Sequence, residues 1–235
     1  MKREKEILPK VIIFSDGTKL GGGSGLKAIL EEERNGNLRA EIVGVVSRYE
    51  FGGVRTKAFH HRKKFFHFTG PFTAREYQKI IRASNAEWVV LSGWLKPFRG
   101  HDPRKTINKH PALLPEYGGK GMYGRNVHKK VLEDYKAGKI EYTAFSMHFV
   151  IDDTMIEGDF YDKGPVFFES PKILLRRSDT LDTIENLIKT SEHSFEYRII
   201  DDIIHERIRW VDVSDPTSTV FPENYAYLPR SAKKQ

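Results

Sequence analysis

The chain has 235 residues, 39% hydrophobic and 30% charged, a balance that suits one large folded domain and excludes a disordered chain. Its net charge of +7 suits anionic partners, but the excess gathers at the ends (Lys2, Arg3, Lys5; Arg230, Lys233, Lys234) and in Arg62-Lys63-Lys64, so nucleic-acid binding is not expected from it. Cysteine is absent, which excludes disulfides, thiolate metal ligands and cysteine nucleophiles. Along the chain, Lys10–Ser15 reads as a buried strand, followed by a Gly-rich turn and a helix with Leu26, Ile29 and Leu30 at helical spacing. Glu41–Ser47 is a second strand, and Phe65–Phe68 a short third one; Tyr49–Gly70 otherwise gives no clear pattern. Thr73 and Glu76 have the spacing of a capping box for a helix carrying Tyr77, Ile80 and Ile81. Trp88–Leu91 is an apolar strand of the kind covered on both faces. A strand holding Asn108 and His110 follows, then a Gly-rich loop and a helix with Val127, Val131 and Tyr135 that ends at Gly138. Thr143–Val150 and Gly164–Glu169 read as strands. A long helix from Ser178 or Asp179 carries Leu181, Ile184, Ile188, Phe195 and Ile199, and Ile208–Val211 reads as a strand closing the sheet.

Strands alternating with helices predict an α/β fold, a layered α/β sandwich around a Rossmann-like, mostly parallel sheet. Residues 1–212 are expected to form a single domain and 213–235 a tail rich in proline and charge. No apolar run reaches the roughly 20 residues of a membrane helix. The charged start, broken by Pro9 and Lys10, is a poor secretory signal, so a cytoplasmic protein is the simplest expectation.

Three sites carry the chemistry. Asn108 and His110 are two apart on one strand, so an amide and an imidazole project from the same face, and Pro111 ends the strand beside them. The pair could serve one carbonyl oxygen, or be an ordinary polar strand end. Gly21-Gly22-Gly23-Ser24-Gly25 precedes a helix, where backbone N–H groups suit a phosphate; it is neither a Walker loop nor a full dinucleotide fingerprint. Gly118-Gly119-Lys120-Gly121 is a weaker loop of the same kind. Asp162, in the turn before Gly164-Pro165, could hold His110 protonated or be a solvated turn residue, and His148 reads as a satisfied sheet histidine. No HExxH pair and no Gly-x-Ser-x-Gly elbow occur, which argues against a zinc site and a serine hydrolase.

Asn108-x-His110-Pro111-x-Leu113-Leu114-Pro115 resembles the hallmark of the folate-dependent formyltransferases. The similarity runs from about Val11 to Val211 and continues in Gly119–Gly124 with Val127-His128, in Phe145–Val150, in Asp162-x-Gly164-Pro165-Val166 and in Glu192-His193. The branch it resembles most acts on glycinamide ribonucleotide in purine synthesis. The resemblance implies formyl transfer from 10-formyltetrahydrofolate to a glycine amine, with no metal. Asn108 would donate to the oxyanion, His110 would act as imidazolium and Asp162 would keep it charged. Gly23, Ser24 and Gly25 would hold the substrate phosphate and Glu192 the glycinamide. Arg75, Leu95, Lys96, Pro97 and Phe98, with Asn108, would hold the folate. The implied partners are a phosphoribosyl substrate and folate, in a monomer or homodimer.

The sequence departs from the family in residues 16–20, which lengthen the approach to the phosphate loop, and in Gly25, which replaces a usual asparagine. About seven extra residues lie between His148 and Asp162, making Asp159 a rival for the Asp162 role, and Lys96 replaces a usual arginine. Relatives that formylate methionyl-tRNA carry a further C-terminal domain, for which too few residues follow Val211. Formylation of amino-sugar nucleotides is one alternative function. Another is a non-catalytic α/β module that binds a nucleotide or RNA.

Overall fold

The computed structural model describes residues 7–232; the basic positions Lys2, Arg3, Lys5, Lys233 and Lys234 lie outside them. The elements run β1 (Lys10–Phe14), α1 (Ser24–Arg34), β2 (Glu41–Ser47), α2 (Gly53–His60), β3 (Phe65–His67), α3 (Ala74–Ser84), β4 (Trp88–Leu91) and β5 (Thr106–His110). Then come α4 (Arg125–Lys136), β6 (Tyr142–Thr143), β7 (Ser146–Phe149), β8 (Val166–Glu169), β9 (Ile173–Leu174), α5 (Leu181–Ile204), β10 (Arg209–Trp210) and β11 (Thr219–Val220). Seven strands form one sheet in the order β3-β2-β1-β4-β5-β7-β8. Its first five strands are parallel, and β7 runs antiparallel to both β5 and β8. This is the predicted layered α/β sandwich with a mostly parallel sheet.

Two cores explain the layering. Leu26, Ile29 and Leu30 of α1, Val54 and Ala58 of α2, Val127 and Val131 of α4, and Ile184, Ile188 and Ile199 of α5 pack on one sheet face. On the other, Tyr77 of α3 meets Phe14, Phe68, Trp94 and Phe98, mostly edge to face, the arrangement that ring quadrupoles favour. The Trp94 indole N–H donates to the Tyr77 hydroxyl, which donates to the Pro97 carbonyl, so the buried polar tips are satisfied.

Four local expectations change. Tyr49–Gly70 contains α2, whose buried contribution is small (Val54 and Ala58), so periodicity did not reveal it. Thr73 caps α3 without a side-chain hydrogen bond, and Glu76 pairs with Lys79 instead of closing a capping box. Thr180 is the side-chain cap of α5, accepting from the Thr183 N–H, which moves the helix start past Ser178 and Asp179. The Ile208–Val211 stretch does not join the central sheet: Arg209–Trp210 pairs with Thr219–Val220 in a separate hairpin. Beyond it, Phe221, Tyr225 and Tyr227 pack on the main core, and the Arg230 guanidinium binds Glu169, Glu116 and the Leu114 carbonyl.

Gly164 lies under β7, and a Cβ there would overlap the Phe149 carbonyl oxygen. Gly164→Ala is therefore expected to destabilise the protein by about 3 kcal/mol or more. That corresponds to roughly 6–12 °C in Tm. An unchanged melting curve would refute this close approach.

Candidate active site

The chain leaves β1 toward β2 and β3 and returns on the other side at β4, so the carboxyl ends of β1 and β4 diverge at a topological switch point, where such sheets bind ligands. A cavity of about 730 Å³ opens there. Its walls come from Ser15–Thr18 after β1, the 22–25 loop, Ser92–Lys96 after β4 and the end of β5. The 119–124 loop, the 150–162 loop and α5 complete it.

Asn108 and His110 both line this cavity, as their spacing predicts. The β5–β7 register sets His148 directly opposite Asn108. Asp162 arrives from the lengthened loop with φ 56°, a left-handed conformation that aspartate tolerates better than most residues. Its Oδ2 lies 3.5 Å from His110 Nδ1 and accepts from the Gly119 N–H at 3.1 Å. Its Oδ1 lies 3.4 Å from Asn108 Nδ2 and 3.3 Å from His148 Nε2. Asp159 instead accepts from the Lys120 N–H at 2.8 Å, so Asp162 is the carboxylate beside His110. The His110 Nε2–H donates to the Tyr117 carbonyl at 2.7 Å, which fixes that nitrogen as protonated and turns Nδ1 toward Asp162. The His148 Nδ1–H donates to the Phe149 carbonyl at 2.8 Å, and Nε2 sits 3.0 Å from Asn108 Nδ2. Neutral, Nε2 accepts from Asn108; protonated, it donates to Asp162.

Two opposing influences act on the charge of His110. Burial pulls the imidazole below its ordinary pKa, with His148 adding to the effect, and Asp162 and the Tyr117 carbonyl only partly offset it. The ring is 3% exposed, so burial works against the imidazolium while the Asp162 carboxylate beside Nδ1 works for it. Burial pushes Asp162 the other way. The His148 hydrogen bond, both imidazoles and the Gly119 N–H outweigh that and hold it below the usual carboxylate range.

Helix α1 opens at Ser24 with no side chain capping it and no acidic residue in its first turn. Its first N–H groups and Gly23, Ser24 and Gly25 thus face the cavity as an anion-binding end. Lys57 of α2 donates to the Gly22 carbonyl at 2.8 Å and fastens this loop. Glu192 lines the same end, where it pairs with Lys109 at 3.1 Å. Leu95, Lys96 and Phe98 also line the cavity, with Trp94, Val150, Ile151 and Phe160, a mostly apolar group. Pro97, expected beside them, does not line the cavity; its carbonyl accepts from the Tyr77 hydroxyl. Arg75 is exposed on the first turn of α3 and does not line the cavity.

Several contributors were not singled out from the sequence. Asp16, 2% exposed, binds Arg48 Nε at 2.8 Å and accepts from the Leu95 N–H, tying the lengthened approach to the apolar wall. His148, read from the sequence only as a satisfied sheet histidine, joins the Asn108 and Asp162 cluster. Lys109 and Glu196 form a buried ion pair at 2.7 Å. A lysine at an inward strand position, with Glu192 and Glu196 four apart on one helix face, was the available signal for the last of these.

A family model described as Formyl transferase matches residues 10–200. The chain belongs to the formyl transferase family. Its similarity to this family's named members is moderate but long. It is 28% identical over 203 residues to the chloroplastic phosphoribosylglycinamide formyltransferase of Arabidopsis thaliana, covering 81% of this chain and 65% of that protein. It is 26% identical over 216 residues to the Escherichia coli K12 phosphoribosylglycinamide formyltransferase, covering 82% and 90%. The chain thus spans less than two thirds of the length of the plant relative. A Coxiella burnetii phosphoribosylglycinamide formyltransferase structure superposes with a TM-score of 0.71 over 88% of this chain and 92% of that one, at 23% identity, which establishes the shared fold.

Proposed function

We propose that this protein is a phosphoribosylglycinamide formyltransferase. It moves a formyl group from 10-formyltetrahydrofolate to the glycine amine of glycinamide ribonucleotide in purine synthesis. The observation that carries the reading is the meeting of Asn108, His110 and Asp162 in one cavity with an anion-binding helix end and a mostly apolar group. The relatives' names supply the acceptor and the group transferred, and 10-formyltetrahydrofolate is the donor that the family resemblance implies. The apolar part suits a flat pterin, with Leu95, Lys96 and Phe98 as its wall and Pro97 between them in sequence. Gly23, Ser24 and Gly25 suit the acceptor phosphate.

The amine attacks the formyl carbon, forming a C–N bond and a tetrahedral oxyanion. Asn108 meets that oxygen with the N–H now in the long 3.4 Å contact to Asp162, which is the easier one to replace. Neutral His110 takes the proton released by the amine, directly or through a water, and Asp162 stabilises the imidazolium as it forms. The proton then passes to the folate nitrogen as its bond to the formyl carbon breaks. We read residues 1–212 as the catalytic unit and 213–235 as its tail, in a cytoplasmic enzyme working as monomer or homodimer. Arg75, exposed and outside the cavity, keeps a folate role only as what the family resemblance implies, at the folate's outer, anionic end.

The test is loss of 10-formyltetrahydrofolate with each acceptor in turn. Glycinamide ribonucleotide is expected to drive the loss and amino-sugar nucleotides are not. The reverse preference would move the protein to the sugar-nucleotide reading, and loss with neither would leave a binding module.

A further inference from the structure

We propose that Lys109 is a specificity-determining positioning residue for the acceptor: it sets the Glu192 carboxylate at the cavity wall to receive the acceptor's N–H and O–H donors. The inference rests on the function proposed above. Lys109 sits between Asn108 and His110 on β5, so its side chain leaves by the opposite face, toward α5. Its side chain is 8% exposed, and its Nζ lies 2.7 Å from Glu196 Oε2 and 3.1 Å from Glu192 Oε2.

The three groups are layered. Glu196 is 1% exposed and stands behind, while Lys109 and Glu192 both line the cavity. The close Lys109–Glu196 pair is neutral by itself. Glu192 is therefore a second carboxylate on the same ammonium, at the wall, where burial pushes its pKa up and Lys109 opposes that. The nearby Lys189 is already committed to Glu185 at 2.6 Å. A second buried carboxylate favours a ligand that brings hydrogen-bond donors, such as an amine or sugar hydroxyls. A lysine needed only for stability would require Glu196 alone.

Gly25 makes the arrangement possible. A Cβ at that position would stand 2.9 Å from Lys109 Nζ and 3.0 Å from Ser92 Oγ. A side chain at position 25 and this ammonium would therefore compete for one space, and here the ammonium occupies it. Its position links the phosphate-binding helix end to Glu192 at the level of the reacting groups.

The test uses the full chain with Lys109→Met and the double variant Lys109→Met/Glu196→Gln. Lys109→Met is expected to raise the acceptor KM by about tenfold to a hundredfold. The folate KM and kcat should stay within about threefold of wild type. Lys109→Met also leaves Glu196 buried and unpaired, so its melting temperature should fall. The double variant should recover much of that temperature and keep the raised acceptor KM. An unchanged acceptor KM, or an acceptor KM restored together with stability in the double variant, would overturn the inference. Failure of the wild type itself to use glycinamide ribonucleotide is a separate result: it refutes the proposed function, and this inference falls with it.

Discussion

Replacing Asn108 with alanine is expected to slow turnover by about two to three orders of magnitude, the cost of losing one well-placed oxyanion donor. Asn108 is half-buried at the end of β5, with its amide nitrogen directed at His148 and Asp162. Neither contact ties it to the main core, so the fold should persist with a loss of about 1–2 kcal/mol. The KM values should change much less than kcat, because the oxyanion exists only on the path through the transition state. Single-turnover formyl transfer and a thermal melt, measured on the same preparation, separate the two effects. Near-normal turnover would remove Asn108 from the proposed chemistry.

Asp162→Asn should lower kcat by about a hundredfold or more, and it should also move the acid limb of the pH–rate profile. The direction follows from His110. Asp162 raises the His110 pKa against a larger lowering from burial, so its removal lets that pKa fall further. In the proposed mechanism the neutral ring accepts the proton, so activity should rise as pH climbs through the His110 pKa. The limb of the variant must therefore lie at lower pH than that of the wild type, with a lower plateau above it. Asparagine tolerates the left-handed backbone at this position, so the loop should keep its shape. Asp159→Asn, which alters the carboxylate that binds the Lys120 N–H, should leave the limb where it is. A limb unmoved by Asp162→Asn, or moved to higher pH, would contradict the assigned roles.

The parts of the fold that local pattern controls were legible in advance. Val11, Ile12 and Ile13 form a continuous apolar run and become a central strand; the 26-29-30 spacing becomes α1; Gly138 ends α4 in a left-handed turn. The side-by-side projection of Asn108 and His110 follows from strand geometry alone. What pattern could not reveal depends on register or on depth. His148 meets Asn108 only because β7 pairs with β5 in one particular register, 40 residues away in sequence. The depth of His110, which pulls its pKa down against the pull of Asp162, is something no local motif reports. Helix α2 hid because it buries only Val54 and Ala58 while leaving Phe59 at the surface. Trp210 looked like part of a closing sheet strand because its apolar neighbours fit one; its actual partner, Thr219, lies beyond a turn rich in polar residues.

The central claim is that one carbon unit passes from folate to an amine at the cluster of Asn108, His110 and Asp162. The most direct measurement is mass spectrometry of the acceptor after incubation with isotopically labelled 10-formyltetrahydrofolate, for the wild type and Asn108→Ala side by side. The account predicts labelled formylglycinamide ribonucleotide from the wild type and far slower labelling from the variant. Label released as free formate, or equal labelling by both proteins, would contradict it.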